Sequence, residues 1–192
     1  MYALSEVDGV VRVEPKLFGK DLGESIAEQL KITYLGQVNN ELGRIIKIID
    51  VLKIGEGIIV PGDGAAFYKV IFTAIHFLPE VHEIIEGEIR DIAKFGAFID
   101  FGSFEGMVHI SQTMDDFVSI SKEGTLLGKD SKKMLKKGDK VRARIVAVSI
   151  KDTDEPKIGL TMRQEYLGKL EWIADQIKKE KKDATKKTKV AK

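Results

Sequence analysis

Apolar and polar residues alternate over Tyr2–Val13, most clearly in the closing "VVRV". The pattern predicts a strand that Pro15 ends. Leu22, Ile26 and Leu30 then repeat at helical spacing. Asp21, three residues before Glu24, has the form of a capping box, and Gly36 is placed to stop the helix. "RIIKIIDVLKI", Arg44–Ile54, is β-branched and reads as a strand. "YKVIFTAIHFL", Tyr68–Leu78, reads as another, closed by Pro79. Between them "GEGIIVPGDGAAF" carries Gly55, Gly57, Gly62 and Gly64 and reads as a loop. The first half is thus one helix on a small antiparallel sheet.

After Pro79 the period changes. Five strand-like runs follow at Ile84–Ile92, Ala97–Phe101, Gly106–Ile110, Lys140–Ile150 and Lys157–Met162, with little helical signal between them. Five short strands in so compact a stretch predict a small barrel. The polar insert Ser111–Lys137 reads as a loop with at most a helical turn. Leu167, Leu170, Ala174 and Ile177 fit an amphipathic closing helix. The fold class is α+β, mainly β. Its parts are an N-terminal domain over 1–80, a barrel over 81–164, and a helix with a basic tail over 165–192. No internal repeat is visible.

Charge modifies this picture at one end only. The net charge of +1 over 192 residues conceals eight lysines between Lys178 and Lys192 against Glu180 and Asp183. That tail carries +6, and residues 1–177 carry −5. Such a tail reads as a disordered, solvated end, with contact to nucleic-acid phosphates as the sharper alternative. No apolar run approaches the roughly 20 residues that cross a bilayer, and "MYALSEVDGV" has no signal-peptide pattern, so no membrane partner is expected. Absence of cysteine excludes disulfides and thiolate metal sites and fits a cytoplasmic location.

Candidate chemistry is sparse. In "GIIVPGDG" the glycine spacing of a phosphate loop is present, but Asp63 stands where a lysine is required. The alternatives are a tight turn or a protruding tip that inserts into a partner. Ile58, Ile59, Val60 and Pro61 suit a contact surface. His76, His82 and His109 are too scattered for a zinc site. Asp115 and Asp116, as neighbours, read as solvated loop charges rather than an acid–base pair. No nucleophile with a base is evident. No catalytic residue, metal, cofactor or small-molecule substrate is expected.

"KFGAFIDFGSFEGMVHISQ", Lys94–Gln112, is different. On a strand Phe95 and Phe98 would face opposite sides unless a bulge at Gly96 brought them together. "KVRARIVAV" places Lys140, Arg142 and Arg144 on one face. Aromatic rings backed by cations hold single-stranded nucleic acid by stacking and charge. Burial of one or both rings in the barrel core is the competing reading.

These blocks, "EGEIRDIAKFGAFIDFGSFEGMVHISQ", "LKKGDKVRARIVAVS" and "KIGLTMR", resemble the S1 RNA-binding domain, a five-stranded OB barrel. The resemblance implies an RNA face at Phe95, Phe98 and His109, with Lys94 beside them. It gives Lys157 the role of the basic residue that opens the fifth strand. Ser149 departs from the acidic residue the family often has at the end of the fourth. "VPGDGAAFYKVIF", "HISQTMDDFVS" and "LTMRQEYLGKLEWI" extend the resemblance over nearly the whole chain, to the E′ family of archaeal RNA polymerase subunits, counterparts of the seventh subunit of eukaryotic polymerase II.

That resemblance implies a truncated RNP-like N-terminal domain. Its tip, Gly57, Pro61, Gly62, Asp63 and Gly64, docks on core RNA polymerase near the clamp. It also implies pairing with the small helical polymerase subunit called F. The two form a stalk beside the RNA exit channel, which guides emerging transcript and assists initiation. A free S1-domain protein of translation or of the exosome cap is the alternative; it has no need of the "PGDG" tip or the "YLGKLEWI" helix.

Overall fold

The computed structural model describes residues 1–121, 124–150 and 156–190, with the backbone alone for Lys179 and residues 182–190. Met1–Pro79 packs as one unit; Glu80–Ser149 and the residues from Pro156 onward pack as another.

In the first unit, β1 (Tyr2–Val13), β2 (Val38–Asn39), β3 (Gly43–Ile59) and β4 (Ala66–Phe77) form an antiparallel sheet in the order β1-β4-β3-β2. Helix α1 (Leu22–Tyr34) lies against it. Asp21 caps α1 by accepting the Glu24 N–H at 3.0 Å, and Gly36 follows its end at φ +80°. Ile26 and Leu30 of α1 pack with Val11, Ile48 and Phe72 in one buried cluster.

Strand β3 solves a period problem. Its sequence repeats in triplets, Ile45-Ile46-Lys47 then Ile48-Ile49-Asp50, whereas strand side chains alternate in twos. The pairing with β4 shifts register between Ile45 and Lys47, Ile48 and Asp50, Val51 and Lys53, and Ile54 and Gly57. Each β-bulge absorbs the extra residue of a triplet. Ile45 and Ile48 therefore stay buried, while Ile46, Ile49 and Leu52 are left exposed.

β3 also runs to Ile59, so the connection expected over Gly55–Phe67 shrinks to the turn between Ile59 and Ala66. Gly55 and Gly57 belong to the strand and not to a loop. A Cβ on Gly57 would lie 2.7 Å from the Tyr68 ring, and this close approach explains the glycine.

In the second unit, β5 (Ile84–Ala93), β6 (Gly96–Asp100), β7 (Glu105–His109), β11 (Lys140–Ser149) and β12 (Lys157–Thr161) run in the order β12-β7-β6-β5-β11. Pairing of β11 with β12 closes a five-stranded barrel; β12 and β7 are parallel, the other pairs antiparallel. Ile89, Ala97, Ile99, Val108, Val141 and Ile145 fill its interior.

The polar insert is more than a loop. After a 3-10 turn at Ile110–Gln112 come β8 (Val118–Ile120), β9 (Leu126–Gly128) and β10 (Met134–Leu135), a small antiparallel sheet ordered β10-β9-β8. Strands of two or three residues are too short to show a period, but Leu126 and Leu135 are fully buried and anchor them.

Beyond the barrel, β13 (Gly168–Lys169) pairs with β11 and leads into α2 (Leu170–Val190). The apolar stripe expected along α2 is displaced. Leu167 is buried before the helix begins; among the described side chains of α2 Ile173 is buried, and Ala174 and Ile177 are exposed. Lys169 Nζ bridges Asp139 at 3.0 Å and Glu171 at 2.8 Å, which fixes the start of the helix to the barrel. The backbone stays helical to Val190, through a segment whose composition led to an expectation of disorder. Its last two residues, and the lysine side chains beyond Lys181, lie outside the described residues. No described helix is long and apolar enough to cross a membrane.

Candidate nucleic-acid interface

Phe95 and Phe98 do lie together, by a different route from the one expected. Phe95 sits in the tight turn between β5 and β6, outside the strand alternation, and Phe98 points outward from β6 while Ala97 and Ile99 point in. Their ring centroids are 5.9 Å apart with planes at 88°, an edge-to-face pair. Phe95 is 50% exposed and Phe98 partly buried. No bulge occurs at Gly96; the register shift is on β5, between Ile89 and Asp91. Gly96 serves close approach instead. A Cβ there would lie 2.1 Å from the Val108 carbonyl oxygen.

Gly96 pairs with His109 and Phe98 with Met107 across β6 and β7. Met107, which sequence reasoning missed, therefore stands beside Phe98; its spacing of two from His109 is the signal that places it on this face. The Ile110 N–H donates to the Phe95 carbonyl at 2.9 Å and ties the turn to the end of β7. His109 is exposed, and its Nδ1 faces the Ser111 hydroxyl at 2.8 Å and the Ser111 main-chain N–H at 3.3 Å. Lys94 is exposed in the same turn as Phe95.

The cations of β11 do not back this face. Phe98 lies opposite Asp91 on β5, whereas Lys140, Arg142 and Arg144 lie opposite Glu88, Glu86 and Ile84. At ~3.3 Å per residue the row is displaced by about 10 to 23 Å along β5, and by one more strand sideways. Arg142 is also engaged. Its Nε and Nη2 both donate to Glu86 Oε1, at 2.9 and 2.7 Å. Arg144 Nε is buried without a hydrogen-bond partner among the described residues. Lys157 is exposed opposite Ser149, where β12 runs beside the Gly106 end of β7, away from His109.

Asp115 and Asp116 are not free loop charges. Arg163 holds Asp115 Oδ1 at 2.9 and 2.8 Å. Asp116 accepts from the main-chain N–H groups of Phe117, Asp130 and Ser131 and from the Ser131 hydroxyl. Those donors, the Ser131 hydroxyl foremost, hold its carboxyl down to about 2. Both aspartates line a cavity of about 590 Å³ beside Ser111.

At the turn after β3, Pro61, Gly62 and Gly64 are exposed, as are Ile58, Ile59 and Val60 before them. Asp63 is bound by Arg12, a residue the sequence offered no reason to single out. Arg12 Nε donates to Oδ2 at 3.0 Å and Nη2 to Oδ1 at 2.8 Å. The strained position is Gly62, at φ +93°; Gly64 is not in the left-handed region.

Residues 8–64 match the family model described as "SHS2 domain found in N terminus of Rpb7p/Rpc25p/MJ0397". Residues 78–160 match the S1 RNA binding domain, and this span holds the whole aromatic face. The chain is 43% identical to DNA-directed RNA polymerase subunit Rpo7 of Saccharolobus solfataricus over 181 residues, 93% of this chain and 100% of that one. The chain belongs to the Rpo7 family of DNA-directed RNA polymerase subunits. Rpo7 of Sulfolobus acidocaldarius is 38% identical over 95% of this chain and 100% of its own. DNA-directed RNA polymerase III subunit rpc8 of Schizosaccharomyces pombe is 33% identical over 55% of this chain and 52% of its own.

Proposed function

We propose that this chain is a non-catalytic stalk subunit of a DNA-directed RNA polymerase whose barrel contacts emerging single-stranded RNA. The observation that carries the reading is the edge-to-face Phe95–Phe98 pair, with Phe95 half exposed, on the same barrel face as His109 and inside the S1 span of a chain whose match covers the whole Rpo7 relative. Exposed rings on a barrel face offer stacking to any base, so the contact is tolerant of sequence, as a transcript path requires. The S1 barrel over 81–164 takes RNA in this reading. The domain over 1–80 docks on core enzyme through the Gly57–Gly64 tip and pairs with the small helical stalk partner, in a cytoplasmic complex that assists initiation.

The exposed apolar row Ile46, Ile49 and Leu52 on β3, and Ile58 to Val60 at the tip, support a protein-facing role for that domain. A free S1 protein of translation or the exosome cap is disfavoured by a match that covers 100% of the Rpo7 relative.

Affinity purification of the tagged chain from its host tests the assembly: the large polymerase subunits and the small helical stalk partner should copurify. Ultraviolet crosslinking within that complex should join transcript to the Phe95–Phe98 segment. Recovery of ribosomes or exosome without polymerase would overturn the reading.

A further inference from the structure

We infer that Ser111 is a positioning residue for the RNA face: its main-chain N–H and its hydroxyl converge on His109 Nδ1, leaving Nε2–H as the ring's outward donor. The inference rests on the RNA-face reading above and goes beyond it, since Ser111 itself need touch no RNA.

The geometry decides the tautomer. A main-chain N–H can only donate, so Nδ1, 3.3 Å from the Ser111 nitrogen, must be the bare, accepting nitrogen. The Ser111 hydroxyl, 2.8 Å from the same atom, can turn its hydrogen to join that contact. In the other tautomer Nδ1–H would still reach the hydroxyl oxygen, but its hydrogen would oppose the main-chain N–H. Two donors on one ring nitrogen therefore place the hydrogen on Nε2. Nε2 makes no hydrogen bond among the described residues, and the residue is exposed.

The same contacts hold the ring in place. His109 is the N-cap of the Ile110–Gln112 turn, and its side chain is the capping acceptor. Capping costs the imidazole its rotational freedom before any ligand arrives, so less freedom is lost on binding. The face thus presents two rings for stacking and, from His109, a fixed hydrogen-bond donor. A fixed donor selects acceptors: a phosphate or ribose oxygen, or a base carbonyl. It offers nothing to an amino group.

The test uses the full chain, labelled with nitrogen-15, and a single-stranded oligouridine as probe. Long-range nitrogen–proton spectra of the neutral imidazole should show His109 protonated at Nε2. Ser111→Ala keeps the main-chain N–H and with it the tautomer, but it removes the hydroxyl that helps hold the ring, and it should weaken RNA binding by about three- to tenfold. Ser111→Thr, which keeps the hydroxyl, should restore the affinity. A wild-type ring protonated at Nδ1 would overturn the inference. So would a Ser111→Ala variant with wild-type affinity while His109→Ala binds weakly. A Ser111→Ala variant that binds weakly and has a lowered Tm, neither rescued by Ser111→Thr, would mark a packing role and overturn it too. If His109→Ala binds RNA as well as wild type, the RNA-face reading itself has failed, whatever the tautomer.

Discussion

The Arg12 guanidinium is forked onto the Asp63 carboxylate, Nε to Oδ2 at 3.0 Å and Nη2 to Oδ1 at 2.8 Å, so β1 grips the turn that follows β3. Asp63 also accepts the Ala65 N–H at 3.1 Å, and its own N–H donates to the Val60 carbonyl. The bond to Arg12 lowers the Asp63 pKa. Asp63→Asn keeps the shape but loses the charge-assisted fork. It should weaken recruitment to core polymerase and leave RNA affinity of the isolated chain unchanged, as read by pull-down and by RNA titration. The swap Arg12→Asp with Asp63→Arg should recover part of the recruitment. Equal loss of both activities in Asp63→Asn would mean that tip and barrel do not act separately.

Gly62 and Gly64 should respond unequally to substitution. Gly62 has φ +93°, where a Cβ is disfavoured by ~1–2 kcal/mol even though nothing crowds it. Gly64 has an ordinary backbone, and a Cβ there would make normal contact with Pro15 Cγ at 3.6 Å. Gly62→Ala should lower the denaturation midpoint and impair recruitment, while Gly64→Ala should be close to neutral. The reverse order would show that the turn relaxes.

The two rings of the RNA face should separate by burial. Phe95 is half exposed, so Phe95→Ala should leave Tm nearly unchanged and cost roughly 1–3 kcal/mol of RNA binding if one base stacks on it. Phe98 is partly buried against Met107 and should lose stability as well as affinity. Melting and RNA titration on both variants decide the matter, and unaltered binding by Phe95→Ala removes the stacking platform.

Salt dependence should come from the turn and not from β11. A lysine that contacts phosphate contributes ~0.7 to the log–log salt slope on a single strand. Lys94→Gln should remove about that much. Arg142→Gln should change the slope far less, because Arg142 is held by Glu86. A large slope change in Arg142→Gln would place the RNA across β5 and β11.

Asp116 should give the insert a recognisable acid limit. Its folded pKa, about 2, lies below the ordinary 3.8, so its clamp is fully present above about pH 4 and fades as pH falls toward 2. Asp116→Asn should lower Tm at neutral pH and flatten the fall in Tm between pH 4 and pH 2. Parallel profiles for variant and wild type down to pH 2 would show that the clamp does not stabilise the fold.

Sequence alone determined the longer elements, but not the short strands β2, β8–β10 and β13. The strand end at Val13, the Asp21 cap and all five barrel strands follow from local pattern, because alternation and capping are properties of neighbours along the chain. The resemblance of the S1 and E′ motifs likewise points to Phe95, Phe98 and His109. Contact between distant residues was a matter for the tertiary structure. Nothing local in Arg12 announces Asp63, and nothing in "KVRARIVAV" reveals that register sets it beside Glu86 and Glu88. The triplet repeat of β3 is visible in sequence, but only pairing with β4 converts it into bulges that bury Ile45 and Ile48 and expose Ile46 and Ile49. Periodicity reports which residues want to leave water. Which of them meet, and which charges are neutralised when they do, depends on strand register, and that is decided when the sheet closes.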